Sequence, residues 1–227
     1  LVAQEGVLIQ TFEEGDPILS VLLNADEDPP PDGASSEATK AEKKLLADIG
    51  VRAFLKMVLV DNYVHGDLHP GNILVQRATA DKQPSLVFLD AGLVVELSER
   101  DRLNFLQVFQ AVAQKDGRKV GQLMLDQART HNCKDREAFL VGMEQVVNVV
   151  DTFSLGKIRI GSVLSDVLFL VRENEVQLES AFTTLVLSIV LLEGLGRQLN
   201  PELDIFAVAL PMLAKLQFSS AFRANKA

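Results

Sequence analysis

The sequence predicts an α+β fold that is mainly helical, with one short β-hairpin near the middle of the chain. Apolar residues recur at helical spacing over residues 40–61 and again over most of the chain after Ser98. Between these stretches, two apolar runs at 73–75 and 86–89 flank a polar loop, which is the pattern of a hairpin. The hydrophobic share of 48% in 227 residues is enough for a substantial core.

The elements before the hairpin follow from three stretches. Residues 7–12, "VLIQTF", are typical of a strand and precede a turn signal, "EEGDP". Residues 24–39 are rich in Pro, Ser and acidic residues and almost without large apolar residues, so we expect a disordered insert there. A helix is then predicted over residues 40–61.

The chain after Ser98 predicts a series of helices, near residues 103–112, 120–128, 139–150, 160–173 and 178–196 and after Pro201. The segment 178–198 is apolar, but Glu193 and its neighbouring glycines interrupt it before the about 20 residues that a bilayer span needs. We therefore predict a buried helix. Glu193 and Arg197 are four residues apart, which favours a pair on the helix surface.

Composition excludes several classes of protein. The 31 acidic and 22 basic residues give a formal net charge of −9, so there is no electrostatic basis for binding nucleic acid. A single cysteine and three histidines predict neither an internal disulfide nor a zinc site. The first residue is Leu and no signal-peptide pattern follows it. We therefore expect a fragment of a longer protein whose N-terminal part, with any targeting signal, has been removed.

The stretch "VHGDLHPGNILV", residues 64–75, carries more polar chemistry than a turn requires. Asn72 stands at the entrance of the first hairpin strand and Asp90 at the exit of the second, so an antiparallel hairpin places them roughly 5 Å apart. The Pro70-Gly71 turn folds Asp67 back toward the same place. An amide oxygen and two carboxylates suit a hard cation such as Mg²⁺, and one carboxylate beside a metal-bound phosphate can accept a proton.

This spacing fits the protein-kinase template, in which H-R-D-x-x-x-x-N is followed one hairpin later by D-F-G. Here His65, Gly66 and Asp67 precede Asn72, and residues 90–92 read Asp-Ala-Gly. A polar turn with a capped hairpin is the alternative interpretation, but it accounts for neither the spacing nor the order of the elements.

Three stretches, "HGDLHPGNILV", "LVFLDAGLVVEL" and "IVLLEGLGRQLNP", resemble the UbiB/aarF family of atypical kinases. The resemblance implies a protein-kinase-like C-lobe with additional C-terminal helices. Residues 1–23 would be the hinge strand and the start of this lobe and residues 40–220 its body, with the N-lobe absent from the chain. It also implies ATP and Mg²⁺ as cofactors, a mitochondrial, membrane-associated setting, and a link to coenzyme Q and lipid metabolism, with proteins of the lipid or isoprenoid-quinone pathway as partners.

The resemblance also implies residue roles. Asp67 matches the catalytic-loop base, Asn72 and Asp90 match the metal ligands, and Gln10, Thr11, Phe12 and Glu13 match the hinge that contacts adenine through its backbone. His65, His69 and Gly92 would support these residues, His65 as a hydrogen-bonder that braces the loop. Two positions depart from protein kinases: Ala91 replaces the aromatic residue of D-F-G, and His69 replaces a common Lys.

Two other functions remain open at this point. An aminoglycoside-type small-molecule phosphotransferase uses a similar loop, although Gly92 is unusual for that class. A pseudokinase that binds nucleotide or lipid as a scaffold is the third possibility, and the presence of Asp67, Asn72 and Asp90 argues against a complete loss of metal binding.

Overall fold

The computed structural model describes residues 2–4, 7–23, 36–148 and 160–224 of the chain. The helices are α1 (Ile18–Leu23), α2 (Ser36–Leu55), α3 (Glu99–Ala113), α4 (Gly117–Gln127), α5 (Arg136–Asn148), α6 (Ile160–Glu173), α7 (Ser180–Leu199) and α8 (Ile205–Ala224). The strands are β1 (Val2–Gln4), β2 (Val7–Ile9), β3 (Asp16–Pro17), β4 (Val64–His65), β5 (Ile73–Gln76), β6 (Ser85–Phe88), β7 (Val94–Val95), β8 (Thr130–His131) and β9 (Val176–Gln177). The predicted fold class, α+β and mainly helical with a central hairpin, is confirmed.

The long helix before the hairpin begins earlier than predicted. Residues 36–39, assigned from their composition to a disordered insert, form the first turn of α2, so that part of the prediction is wrong. Glu37 lies in this first turn, where a negative charge favours the positive end of the helix dipole. Residues 24–35 of the predicted insert lie outside the described residues. At its other end, α2 continues into a π-helical segment, Lys56–Asp61.

The core forms around α2, which packs against α7, α8 and β6. Val51 and Phe54 of α2 are fully buried, and burial of a side chain such as Phe54 contributes about 1.5–3 kcal/mol. From α3 to α7, which we call the helical half, each helix packs against the next one along the chain. The last of them, α7, packs against α2. The sequence did not predict β8 and β9, which pair with each other within this half.

The hairpin forms in the predicted place. β5 and β6 are antiparallel, with Ile73 opposite Phe88. Ile73 and Val75 are buried in the core, whereas Leu74 between them is half-buried, because successive side chains of a strand point to opposite faces. β3 pairs with the other edge of β5. The predicted strand 7–12 is shorter than expected, since β2 ends at Ile9 and no regular structure follows until Asp16.

Helix α7 is long and apolar enough to cross a bilayer, with a mean hydropathy of 1.4, but 50% of it is buried inside the protein. Core helices of soluble proteins meet the same length and composition test. Leu185 and Ile189 are among its most buried residues, and α7 packs against α2 and α6. Burial is therefore observed over one face of the helix.

Glu193 is not on the surface of α7, and the prediction of a surface pair with Arg197 is wrong. The two side chains are 5% and 16% exposed, and Arg197 Nε lies 2.9 Å from Glu193 Oε1. The Glu193 carboxylate also accepts hydrogen bonds from the N–H groups of Ile160 and Gly161 at the start of α6. The pair is buried because the N-terminus of α6 lies against this part of α7, where the carboxylate accepts from two N–H groups that have no partner within the helix.

Candidate functional site

A short strand pair joins residues 64–75, the motif that resembles a kinase catalytic loop, to the segment after Asp90. We call residues 64–75 the catalytic-loop motif. β4 and β7 are antiparallel, with Val64 opposite Val95, and the Gly66 N–H donates to Leu93 O at 2.9 Å. A Cβ on Gly66 would lie 3.1 Å from the side chains of Leu93 and Val95, so the glycine permits this close approach. The pairing places the start of the catalytic-loop motif beside the segment that follows Asp90.

His65 links the backbone of Asp67 to that of Leu89. The histidine is 5% exposed, its Nδ1 accepts from the Asp67 N–H at 3.2 Å, and its Nε2 lies 2.9 Å from Leu89 O. Both bonds form only in the neutral tautomer with the proton on Nε2, because Nδ1 must accept while Nε2 donates. These contacts agree with the bracing role predicted for His65.

Asn72 makes a second link between the same two residues. Its Nδ2 donates to Asp67 O at 3.0 Å, and its backbone oxygen accepts from the Leu89 N–H at 2.8 Å. Asn72 is 8% exposed. Because Asp67 occupies the amide nitrogen, the Oδ1 is the atom that a ligand could use. Asp67 is therefore tied through both its N–H and its C=O to Leu89, the residue before Asp90.

The turn between Asp67 and Asn72 is a single 3₁₀ turn, Pro70–Asn72, and His69 caps it by accepting the Gly71 N–H on Nδ1 at 3.0 Å. A Cβ on Gly71 would lie 2.7 Å from the His69 ring, so a larger residue here would push the ring away from its capping position. The other ring nitrogen of His69 lies 3.9 Å from Asp67 Oδ2. The Asp67 side chain is 58% exposed, so its carboxylate is accessible to solvent.

Asp90 follows the hairpin in a left-handed backbone conformation, with φ of 53°. Few non-glycine residues adopt it, although Asp and Asn tolerate it better than most. A Cβ on Gly92 would lie 3.1 Å from Asp90 Oδ1, so a larger residue there would crowd the carboxylate. The Asn72–Leu89 hydrogen bond continues the β5–β6 register, which brings Asp90 to the same end of the hairpin as Asn72.

A cleft of about 470 Å³ opens beside this end of the hairpin. Its lining contains all four residues assigned to the hinge, together with two leucines of the hairpin: Gln10, Thr11, Phe12, Glu13, Glu14, Gly15, Leu74 and Leu89. The sequence alone did not indicate Leu74, Leu89, Glu14 or Gly15 as lining residues. The alternation in β5, which leaves Leu74 off the buried face, is the signal that could have found the first of them.

The residues that follow the assigned hinge, 14–16, are held against β5 by a close backbone approach and by polar contacts. A Cβ on Gly15 would lie 3.0 Å from Leu74 Cβ and 3.1 Å from Val75 O, so a side chain there would push the segment away. Gln76 Nε2 donates to Glu14 O at 2.9 Å, and Arg77 forms an ion pair with Asp16 at 2.9 Å. These contacts hold residues 14–16, at one side of the cleft, against β5.

No group of three or more His, Cys, Asp and Glu side chains within the described ranges is arranged to hold a metal ion. A cation at this end of the hairpin would therefore depend on a mixed set, the amide oxygen of Asn72 with the carboxylates of Asp90 and Asp67. Oxygen donors of this kind suit Mg²⁺, which takes few protein ligands and keeps several waters. The predicted common pocket of these three side chains stays a prediction.

Comparison with known proteins identifies the family. A model of the ABC1 atypical kinase-like domain matches residues 3–124, more than half of the chain, and a model of the UbiB helical domain matches residues 143–204. The chain belongs to the ABC1 atypical kinase-like family. Its catalytic-loop motif and hairpin lie inside the first match, whereas α6 and α7 lie inside the second.

Similar proteins come from fungi, a slime mould and bacteria. A mitochondrial ABC1 family protein of Saccharomyces cerevisiae is 35% identical over 77% of this chain and 34% of its own length. "Probable serine/threonine-protein kinase abkC" of Dictyostelium discoideum is 30% identical over 97% of this chain and 39% of its own. "Probable protein kinase UbiB" of Pasteurella multocida is 32% identical over 78% and 34%. No solved structure gives a significant match. The chain spans about a third of the length of the relatives it matches.

Proposed function

We propose that this chain carries the metal-binding and catalytic half of an ATP-dependent phosphotransferase or ATPase of the ABC1 family. The observation that carries the proposal is the double tie between Asp67 and Leu89, made by His65 and Asn72. Leu89 lines the cleft and precedes Asp90. These ties support the proposal that Asp67 and Asp90 act together beside this cleft.

The cleft fits the base of a nucleotide. Leu74 and Leu89 offer an apolar surface on one side, against which an adenine ring could stack. Gln10, Thr11, Phe12 and Glu13 border the cleft in a segment without regular secondary structure. Its backbone N–H and C=O groups are therefore available to pair with the edge of the base. The apolar lining with a few polar groups is typical of a cofactor site.

Asn72 and Asp90 are the residues proposed to hold Mg²⁺, and their donor set fits this ion, since both offer oxygen. When bound, Mg²⁺ would neutralise phosphate charge and orient the transferred group. The chain's own contribution is rigidity: Asn72 is held through its Nδ2 by Asp67 O, which aims its Oδ1 away from that bond.

Asp67 is proposed to accept the proton of the attacking hydroxyl or water, or to orient it. Its side chain is 58% exposed, whereas its backbone is fixed on both sides. A carboxylate with a fixed backbone and a free head group can meet a substrate without reorganising the loop. The nearby His69 ring, whose Nδ1 accepts the Gly71 N–H, is proposed to contact phosphate through Nε2.

The cellular setting is proposed from the relatives. The fungal proteins are named mitochondrial, and the bacterial ones carry the name UbiB. We propose a mitochondrial location for this protein, association with a membrane, and a role in coenzyme Q and lipid metabolism. The family match favours this function over an aminoglycoside-type phosphotransferase.

The test uses the full-length protein that contains this chain, in a calorimetric Mg-ATP titration paired with a phosphate-release assay. Asp90→Ala should abolish Mg-dependent nucleotide binding, because Mg²⁺ has few protein ligands to lose. Asp67→Asn keeps the shape but removes the proton acceptor, so binding should persist while turnover falls about 100-fold or more. Asp81→Ala, an exposed carboxylate in the loop between β5 and β6, is the matched control and should behave as the parent protein.

Unchanged Mg-ATP binding by Asp90→Ala would show that the assignment of this residue is wrong. A parent protein that binds Mg-ATP but releases no phosphate, with lipids and detergents present, would instead favour the scaffold function.

A further inference from the structure

Asn62 occupies the joint between the π-helical segment and the catalytic-loop motif. It is in the left-handed conformation, with φ of 52° and ψ of 37°, and it ends the segment Lys56–Asp61. The carbonyl oxygens of Leu59 and Val60, near the end of this segment, accept hydrogen bonds from Arg102 of α3 at 2.7 and 3.3 Å. The joint is therefore fixed in the fold before β4 begins.

The side chain of Asn62 pairs with the backbone of a residue beyond Asp90. Its Nδ2 donates to Leu97 O at 2.8 Å, and its Oδ1 accepts from the Leu97 N–H at 3.2 Å. An amide side chain that uses both its donor and its acceptor on one peptide residue imitates a pair of strand hydrogen bonds. It lies two residues before β4, and Leu97 lies two residues after β7.

This extra pair matters because β4 and β7 are very short. Their pairing contains only Val64 with Val95 and His65 with Val94, and so short a ladder fixes its own register weakly. A slip by one residue would move the attached backbone by about 3.3 Å. Mg²⁺ tolerates little change, since its ligands lie at about 2.0–2.1 Å in near-octahedral geometry.

The slip would be transmitted to Asp90. The segment between Asp90 and β7 is only Ala91, Gly92 and Leu93, and Leu93 is already bonded to Gly66. With Leu89 held on the other side by His65 and Asn72, the loop that bears Asp90 is fixed at both ends. Asn62 holds the chain on the other side of β7, at Leu97.

We infer that Asn62 is a positioning residue for the metal carboxylate: by pairing with the backbone of Leu97 it sets the register of β7 against β4, and so the place of Asp90 relative to Asp67. The inference rests on the proposed function, and it adds a residue to that site that touches neither nucleotide nor metal. It also assigns a reason for an asparagine at this position, where left-handed backbone and a two-sided amide are both required.

The experiment measures the Mg²⁺ concentration that half-saturates nucleotide binding in the full-length protein, with nucleotide binding in EDTA as the metal-free reference. Asn62→Gly keeps the left-handed conformation accessible but removes the amide. It should raise the half-saturating Mg²⁺ concentration about 10-fold to 100-fold, the effect typical of losing a group that orients a metal ligand, with binding in EDTA unchanged. Asn174→Gly, which removes a side-chain bond to Leu170 O at 2.9 Å at the end of α6, is the matched control and should leave it unchanged.

The inference is overturned if the parent protein shows Mg-dependent binding and Asn62→Gly needs no more Mg²⁺ than the parent. The proposed function stands in that case. Equal loss of binding with and without Mg²⁺ overturns the inference too, because that pattern means a general structural defect. If Asn62→Gly does not fold, Asn62→Asp decides: it keeps the acceptor for the Leu97 N–H and should show a smaller rise, and an unchanged Mg²⁺ requirement counts against us. If the parent shows no Mg-dependent binding and behaves like Asp90→Ala, the proposed function is wrong and this inference is wrong with it.

Discussion

Two carboxylates in motifs that pointed to the family have opposite surroundings. Asp67, in the kinase-like half, has a side chain that is 58% exposed, and its backbone rather than its carboxylate is held in place. Glu193, at the contact between α6 and α7, has a side chain that is 5% exposed, and its oxygens accept hydrogen bonds from Arg197 and two backbone N–H groups. The Asp67 carboxylate is accessible to solvent, whereas the oxygens of Glu193 are engaged in a buried network of hydrogen bonds.

The contrast distinguishes a carboxylate that is available to accept a proton from one that stabilises the fold. A carboxylate whose oxygens are all engaged in a buried network cannot accept a substrate's proton without breaking that network. A carboxylate on a fixed backbone with a free head group can do so. The comparison predicts that the stability of the protein depends on Glu193 and its activity on Asp67.

The largest effect on stability is expected from Glu193→Ala. The change leaves the Arg197 charge without its carboxylate and the first N–H groups of α6 without an acceptor, so the free energy of unfolding should fall by about 3–5 kcal/mol. Urea denaturation of the full-length protein measures it. Asp48→Ala is the control, since it breaks another i,i+4 pair, with Arg52, whose side chains are 40% and 60% exposed. It should cost about 0–1 kcal/mol. Equal losses in the two variants would end the distinction between a buried and a surface pair.

His65→Ala should have the next largest effect. It leaves the Asp67 N–H and the Leu89 carbonyl without their partner, and a buried polar group left unsatisfied costs about 1–3 kcal/mol. Hydrogen exchange at the Asp67 amide should also become faster. His69→Ala removes a single local bond from a side chain that is 50% exposed and should cost less than about 1 kcal/mol. A His65→Ala variant as stable as His69→Ala would contradict the bracing role.

Two glycines of α7 sharpen the description of the helical half. A Cβ at Gly194 meets nothing within 4 Å, so Gly194→Ala should raise the free energy of unfolding by about 0.5–1 kcal/mol through helix propensity. A Cβ at Gly196 would overlap the end of the Leu203 side chain, so Gly196→Ala should gain less or lose stability. Thermal unfolding of both variants tests the contrast, and an equal gain in each would show that Leu203 does not pack against α7 as described.

The smallest effect on stability is expected at the proposed catalytic residue. Asp67→Asn alters an exposed side chain and keeps both backbone bonds, so the free energy of unfolding should change by no more than about 0.5 kcal/mol. Thermal unfolding measures the change, and phosphate release by the same preparation shows whether activity is lost independently. A loss above about 2 kcal/mol would place Asp67 with Glu193 as a structural residue.

The fold class and the hairpin could be predicted from the sequence alone, and the sequence also supplied the candidate site residues. Helical spacing and strand runs are local patterns, and the separation of Asp67, Asn72 and Asp90 in the chain matches a known template. The order of elements then sufficed to predict that these residues gather at one end of the hairpin.

The burial of polar groups and the identity of their hydrogen-bond partners could not be predicted from the sequence. The i,i+4 spacing of Glu193 and Arg197 is the same for a surface pair and for a buried cap, and the start of α6 makes the difference. In the same way, nothing near Asn62 in sequence announces its partner, since Leu97 reaches it through the pairing of β4 and β7. Periodicity is set by neighbours along the chain, whereas burial and hydrogen-bond partners are set by residues that meet only when the chain is folded.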